Sequence, residues 1–338
     1  MRKSNNLKML GVATLIGGLF AASAQSALAA EPIITIDGSS TVYPVTEAVA
    51  EDFQKSKKGA IKVTVGISGT GGGFKKFCRG ETDIADASRP ILQKEMDACK
   101  AAGIQYIELP VAFDALTVIV NPKNKFVDHL TVAELKTMWN PASQGKVNNW
   151  NQIRASFPSA PLKLAGAGSD SGTFDYFTEA IVGKAKSSRG DYQATEDDNV
   201  TVQFVSRDVN AMGYLGLAYY MENKGKLKAV PIKVDDKSPA VMPSVETTNK
   251  GTYQPLSRPI FIYVNAKSAD KPEVKEFVQY YLKHAGALSK EVGYVDLPVK
   301  AYELALKNFN NKKLGTGFGG IAEVGVSVED LLTREGKH

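Results

Sequence analysis

Short β-rich segments alternate with segments of helical periodicity along most of the chain. Residues 33–36 form an apolar run, and residues 61–65 alternate apolar and polar side chains as a half-buried strand does. Between them, Val45, Val49 and Phe53 recur at helical spacing. Strand, loop and helix in repeated succession predict an α/β protein with largely parallel sheets.

Two extended segments that contain prolines, residues 109–122 and 254–265, also carry β-rich runs. We predict that the chain crosses between two lobes at these segments, which would form a two-segment hinge. Each lobe is expected to be a mainly parallel sheet flanked by helices. The first lobe is predicted to contain residues 30–113 together with 258–338, and the second lobe residues 114–257.

At the N-terminus, three cations precede an apolar run that ends in small residues. The cations are Arg2, Lys3 and Lys8, the run covers residues 9–24, and residues 27–29 read Ala-Leu-Ala. This order is typical of a secretory signal peptide, and the run is too short for a membrane span. We predict that residues 1–29 are a signal peptide and that the mature protein is periplasmic. An N-terminal anchor helix is the alternative.

Loss of this peptide changes how the charge and the cysteines are interpreted. The formal charge falls by three, from +5 to +2, because residues 1–29 contain three cations and no acid. A basic surface for nucleic acid is therefore not indicated. In an oxidising compartment, Cys78 and Cys99 favour a disulfide, with two buried thiols as the alternative. Two cysteines and three histidines also make a zinc site a poor hypothesis.

Three segments rich in serine, threonine and glycine each follow a predicted strand and precede a predicted helix. They are residues 37–41, 68–73 and 169–173. Free N–H groups and the helix dipole favour an anion at a helix N-terminus, and hydroxyl groups add donors. Any one of these loops would be explained by simple N-capping. Three of them together favour an oxyanion held between the lobes by neutral donors.

Other motifs fail on spacing. Gly69 and Gly71 are followed by Phe74 where the dinucleotide-binding pattern G-x-G-x-x-G requires a glycine, and the chain contains no P-loop. A serine hydrolase acting through Ser171 would need a positioned histidine, and neither His129 nor His284 lies in a motif that would supply it.

Several segments carry a resemblance to a known family. They read DGSSTV at 37–42, SGTGGGF at 68–74, TDIADASRP at 82–90 and DSGTF at 170–174, with weaker support from PLSRP at 255–259. On these segments the mature chain resembles the periplasmic phosphate-binding proteins of Pst-type ABC transporters. The resemblance implies a type II periplasmic-binding-protein fold whose lobes close on one dehydrated phosphate. It also implies delivery of phosphate to membrane permease subunits by a monomer that is not an enzyme and needs no cofactor.

The resemblance also implies a set of ligand contacts. They are Ser40, Thr41 and the backbone of Val42, either Ser68 or Thr70, then Ser88 and Arg89, and finally Ser171, Gly172 and Thr173. Two positions depart from the best-known branch of the family, which has an aspartate where this chain has Ser88 and an arginine where it has Ala167. We expect Arg89 to replace that cation beside the ligand or to pair with a carboxylate.

A carboxylate in the site would distinguish phosphate from sulfate. Near neutral pH phosphate carries a proton that it can donate, whereas sulfate does not, and a buried acceptor facing sulfate stays unsatisfied. We assign this role to Asp170 first and to Asp86 second. The alternatives are that Asp170 only caps its helix and that Asp86 pairs with Arg89. Other functions left open are binding of another oxyanion such as sulfate, molybdate or phosphonate, a secreted phosphatase or esterase, and a secondary adhesive role.

Overall fold

The computed structural model describes residues 31–169, 171–321, 327–334 and 336. The predicted signal peptide and Asp170 lie outside these residues. Within them, no helix has both the length and the apolar character that a membrane crossing requires.

Eleven strands and eleven α-helices make up the described chain. The strands are β1 Ile33–Gly38, β2 Lys62–Ile67, β3 Ile84–Ala87, β4 Tyr106–Val120, β5 Leu130–Thr131, β6 Lys163–Ala167, β7 Gln193–Thr195, β8 Ala211–Gly216, β9 Lys228–Ala229, β10 Ile232–Lys233 and β11 Ser257–Asn265. The helices are α1 Tyr43–Ser56, α2 Thr70–Cys78, α3 Gln93–Ala101, α4 Val132–Trp139, α5 Gly172–Phe177, α6 Asp198–Arg207, α7 Leu217–Glu222, α8 Val245–Asn249, α9 Pro272–Glu291, α10 Val299–Asn310 and α11 Val328–Thr333. A π-helical turn, Thr178–Val182, continues α5.

One curled sheet runs through both halves of the molecule in the order β2-β1-β3-β11-β4-β8-β6-β7, with β9 beside β4. The groups β2-β1-β3 and β8-β6-β7 are parallel, and β11 and β4 are antiparallel to their neighbours. Within each parallel group, helices connect one strand to the next, as parallel pairing requires. The neighbouring strands β4 and β11 pair antiparallel instead. The predicted α/β, two-lobed architecture is confirmed. Its strands form one mixed sheet, with a parallel group at each end and antiparallel pairs between them.

Strand β4 belongs to both halves of the sheet. Residues 106–115 pair with β11, and residues 116–120 pair with β8. All of its side chains are buried, since both faces of the strand are covered. The lobe limits at 113/114 and 257/258 stay a prediction; β4 changes its partner at 115/116.

Separate apolar clusters lie on the two halves. One cluster packs α1, α9 and α10 against a face of β1, β3, β11 and β4, with Phe53 and Phe277 in edge-to-face contact at 5.2 Å. Another surrounds Trp139 in the second half, where Phe177 and Tyr214 stack at 3.7 Å. These clusters anchor the N-termini of α1 and α5, which carry the loops of interest.

Two predictions concern the region of α2, one for the start of the helix and one for the cysteines. The helix predicted to begin near Gly73 begins at Thr70, so most of the glycine-rich segment is helical rather than loop. Cys78 and Cys99 form the predicted disulfide, which joins α2 to α3 in a buried environment. No buried pair of free thiols exists there.

Candidate functional site

The three loops predicted from sequence all follow the carboxyl ends of parallel strands. We call residues 37–42 at the end of β1 the first loop, residues 68–70 after β2 the second loop, and the described residues 168, 169 and 171 after β6 the third loop. They lead into α1, α2 and α5, respectively. The carboxyl ends of β1 and β2 lie at one edge of their parallel group, where ligands of open α/β folds commonly bind. Because β11 and β4 are antiparallel to their neighbours, β6 runs in the opposite direction, and the contacts described below bring its carboxyl end to theirs.

The first and third loops contact each other across the two halves of the sheet. Thr41 Oγ1 donates to the Gly172 carbonyl at 3.5 Å, and Ser40 Oγ donates to Asp175 Oδ2 at 3.4 Å. A Cβ atom on Gly172 would lie 2.9 Å from the Thr41 Cα. Glycine is therefore needed at this close approach.

A cavity of about 620 Å³ lies beside this contact. Four predicted residues are among its lining side chains and backbone: Ser40, Ser171, Gly172 and Thr173. The Ser171 hydroxyl caps α5 by accepting from the Thr173 N–H at 3.1 Å. The structure thus brings donors from both halves of the molecule to one space.

The backbone of the first loop is tightly turned onto Ser39. The N–H groups of Val42 and Tyr43 both donate to the Ser39 carbonyl, at 3.2 and 3.0 Å, and the Thr41 N–H donates to Ser39 Oγ at 3.2 Å. The Val42 N–H, predicted as a ligand donor, is thus engaged within the loop.

The second loop separates the roles of its two hydroxyl groups. Ser68 Oγ donates to Asp37 Oδ1, and Lys76 Nζ lies 2.6 Å from the other oxygen of that carboxylate. Thr70 Oγ1 instead lies 3.0 Å from Ser88 Oγ and accepts from the Ser88 N–H at 3.1 Å. Thr70 and Ser88 therefore form one polar pair, and Ser68 belongs to an ion-pair cluster on the other side of α2.

Arg89 pairs with a carboxylate, which is one of the two arrangements predicted for it from the sequence. Its guanidinium makes two hydrogen bonds to Glu95, at 2.9 and 2.8 Å, and also donates to the Pro90 carbonyl at 3.1 Å. Such a two-pronged pair holds the guanidinium in one orientation. The alternative in which Arg89 pairs with Asp86 is wrong, because Glu95 occupies that position.

Asp86 is buried below the first loop. Its Oδ1 accepts from Thr46 Oγ1 at 3.0 Å, and Oδ2 has no hydrogen-bond partner among the described residues. Burial raises the pKa of Asp86 to about 8, and the nearby charge of Asp37 adds to the effect. This carboxyl group faces α1 rather than the cavity.

The sequence analysis missed the carboxylates that face the cavity. Asp114, Glu196, Asp198, Glu222 and Glu291 line its wall. Burial raises the pKa of Asp114 and of Asp198 to about 6. Lys290 also lines the cavity, but acidic side chains outnumber basic ones there, so an anion would rely on directed donors and helix N-termini.

Asp175 was also missed, although its position in the sequence carried a signal. It lies four residues after Ser171, so one helical turn places both residues on the same face of α5. Its contact with Ser40, 135 residues away, could not be inferred from that spacing.

The positions of the histidines and carboxylates in the described chain bear on the metal and hydrolase hypotheses. Within it, no group of three His, Cys, Asp or Glu side chains is placed to hold a metal ion. His129 lies beside Asp128 at 3.1 Å, and His284 stacks on Tyr280. Neither histidine is among the described residues that line the cavity beside Ser171.

Comparison with known proteins places this geometry in a family. The model of the PBP superfamily domain matches residues 21–284. The chain is 54% identical to the protein SphX of Synechococcus elongatus, over 97% of this chain and 96% of that protein. It is 39% identical to the phosphate-binding protein PstS of Staphylococcus saprophyticus, over 79% of this chain and 81% of that protein.

A solved structure agrees with these relatives. A crystal structure described as a possible phosphate-binding protein from Planctomyces limnophilus superposes with a TM-score of 0.79 at 47% identity, covering 83% of this chain and 98% of that one. The chain therefore belongs to the PBP superfamily and, within it, to the family of Pst-type phosphate-binding proteins.

Proposed function

We propose that this protein binds inorganic phosphate between its two lobes in the periplasm and delivers it to the permease subunits of an ABC transporter. The observation that carries the proposal is the meeting of Ser40 and Thr41 with residues 171–173 across the two halves of the sheet. The relatives named for phosphate binding support the choice of ligand. The N-terminal sequence pattern supports export.

The chemistry of the donors suits a tetrahedral dianion. The proposed donors are Thr41, Thr70, Ser88, Ser171, Gly172 and Thr173, and Ser40 is proposed as a contact through its acceptor lone pairs, since its hydroxyl donates to Asp175. The Val42 N–H, which donates to the Ser39 carbonyl, is not among the proposed donors. Helix N-termini and hydroxyl groups supply hydrogen bonds without a fixed counter-charge. Because contacts come from both lobes, the ligand favours the closed arrangement. Scavenging requires a dissociation constant of about 1 μM or lower, which corresponds to about −8 kcal/mol.

We propose that Arg89 holds the segment after β3 against α3 rather than contacting the ligand directly. Its two terminal nitrogens already donate to Glu95, and one of them also donates to the Pro90 carbonyl. The charge of a bound anion would then be met mainly by dipoles, which act strongly in a partly desolvated site.

Asp170 stays our first assignment for the carboxylate that reads the ligand proton, and Asp86 our second. The Thr46 contact of Asp86 favours that order, since it turns the group towards α1. Asp170→Asn is expected to weaken phosphate binding and to raise sulfate binding. If both affinities stayed at the wild-type values, the assignment to Asp170 would be abandoned.

The experiment that tests the function is titration calorimetry of the mature, ligand-stripped protein with phosphate and then sulfate at one pH. Tight one-to-one phosphate binding without sulfate heat is the expected result. Comparable binding of both anions would make the protein a general oxyanion binder. Absence of binding to either would refute the proposal. Absence of p-nitrophenyl phosphate turnover in the same sample would support a purely binding role.

Thr70→Val should weaken phosphate binding by about 10-fold or more, because a charged ligand loses one hydroxyl hydrogen bond while the side-chain shape is kept. The matched control is Ser68→Ala in the same loop. Its hydroxyl serves Asp37, so its phosphate affinity should stay within about threefold of wild type. Calorimetry of both variants decides whether Thr70 or Ser68 contacts the ligand. A larger loss of phosphate affinity for Ser68→Ala would contradict the assignment to Thr70.

A further inference from the structure

The side chains of Ser40 and Asp175 link the first loop to α5. Ser40 precedes α1 in the first half of the sheet, and Asp175 lies in the second half. Their oxygens are 3.4 Å apart. Asp175 is tied to the third loop through its own backbone, because its N–H donates to the Ser171 carbonyl at 3.2 Å. The pair therefore lies between the two predicted sets of ligand donors.

The direction of this hydrogen bond follows from the chemistry of its partners. An ionised carboxylate carries no hydrogen, so the serine hydroxyl must donate. A hydroxyl group has one hydrogen and two lone pairs. Once its hydrogen is given to Asp175, Ser40 Oγ has only acceptor capacity left for the cavity that it lines.

The Asp175 carboxylate is partly buried and lies near charges of both signs. Its Oδ1 is buried and has no hydrogen-bond partner among the described residues. Lys186 Nζ lies 3.9 Å from Oδ2, and the charges of Glu179 and Arg258 act from nearby. Burial raises the pKa of Asp175, while Lys186 and the Ser40 hydroxyl oppose the rise.

We propose that Asp175 is a positioning residue for ligand selection: it takes the hydrogen of Ser40 and leaves a lone pair of Ser40 Oγ facing the ligand. A protonated tetrahedral oxyanion can donate to that lone pair, and an unprotonated one meets an unsatisfied acceptor. The inference rests on the proposed function and adds a selection device that acts through a neutral hydroxyl group. It differs from a carboxylate in direct contact with the ligand, the role assigned above to Asp170.

The principal test is Asp175→Asn. The amide has the same shape, and its N–H group can donate to Ser40, which frees the serine hydrogen to face the ligand. We expect the ratio of sulfate affinity to phosphate affinity to rise by about 10-fold or more, as reversal of one buried hydrogen bond implies. Calorimetry at pH 8 with each anion measures the ratio. Asp208→Asn, which loses only the ion pair with Lys163 on the same half, is the matched control and should leave the ratio unchanged.

Two further variants separate selection from simple structural support. Ser40→Ala removes the acceptor and should also raise the ratio. In the Ser40→Ala background, adding Asp175→Asn should change the ratio by less than about threefold, because the hydroxyl on which it acts is gone. A purely structural aspartate would instead weaken both anions equally and additively.

The pH dependence provides an independent readout. Sulfate affinity of the wild type should rise as the pH is lowered, because a protonated Asp175 can donate to Ser40. Asp114 and Asp198, which also face the cavity and whose pKa values are raised to about 6, take up protons over the same titration in every variant. The part of the rise lost in Asp175→Asn is therefore the contribution of Asp175.

These results can overturn the inference without touching the proposed function. An unchanged affinity ratio in a folded Asp175→Asn protein would refute it, as would an equal change of the ratio in the Ser40→Ala background. Should Asp175→Asn fail to fold, an unchanged ratio in Ser40→Ala alone would do the same. Failure of the wild type to bind phosphate would instead refute the proposed function.

Discussion

Replacement of Gly172 by alanine is expected to weaken phosphate binding by about 100-fold or more, which corresponds to about 3 kcal/mol. The added Cβ would lie 2.9 Å from the Thr41 Cα and 3.2 Å from the Thr41 backbone N. Because both contacts are with backbone atoms of Thr41, the clash can be relieved only if the first and third loops move apart. Overpacking of this kind commonly costs about 1–3 kcal/mol, and here it also pulls apart the ligand donors.

Calorimetry with phosphate measures the loss, and small-angle scattering tests whether the ligand still closes the lobes. The control is Gly225→Ala in the same half, where an added Cβ meets no atom within 4 Å. Binding by Gly172→Ala within about threefold of wild type would show that the loops need not touch when phosphate is bound.

Asp86→Asn is expected to flatten the pH dependence of stability between pH 3.8 and about pH 8, the two pKa values of the Asp86 carboxyl group in the unfolded and folded states. The pKa of Asp86 is about 8 in the folded protein, above its ordinary value of 3.8, so the folded state binds this proton more tightly. Its contribution to stability is fully present below the unfolded pKa and is lost as the pH rises through about 8. At pH 9 the variant should therefore be more stable than the wild type, by on the order of a few kcal/mol.

Urea unfolding of both proteins at pH 5, 7 and 9 measures this difference. Asp97→Asn, an exposed position on α3, is the control and should follow the wild type. If the free energy of unfolding changed equally with pH in wild type and Asp86→Asn, the Asp86 carboxyl group would not titrate in this range. Phosphate and sulfate titrations of the same variant also test Asp86 as the second candidate for the carboxylate that accepts the ligand proton.

Local features of the sequence predicted the elements and the character of the site. Residues 33–36 and 62–65 lie in paired strands, and the helix marked by Val45, Val49 and Phe53 has its apolar face buried. These predictions succeed because periodicity and loop composition act over a few residues. The boundary of α2 was wrong by one turn, since Gly71–Gly73 read as loop residues but are held in a helix that begins at Thr70.

Contacts between distant residues were beyond local patterns. Nothing near Arg89 indicated whether it would meet a ligand or a carboxylate, although Glu95 is only six residues away. Ser68 and Thr70 have similar chemistry, and only the packing of β1 and β3 around them gives one to Asp37 and the other to Ser88.

By itself, then, the sequence determined the α/β class, the export pattern and the three hydroxyl-rich loops at helix N-termini, and it favoured a disulfide that the structure then showed. Only the tertiary structure decided which of those hydroxyl groups share a cavity, that Gly172 must lie against Thr41, and that Asp175 takes the hydrogen of Ser40. The physical reason is one of range. Propensity, periodicity and capping act between neighbours, whereas these contacts join residues more than one hundred positions apart through the packing of the whole sheet.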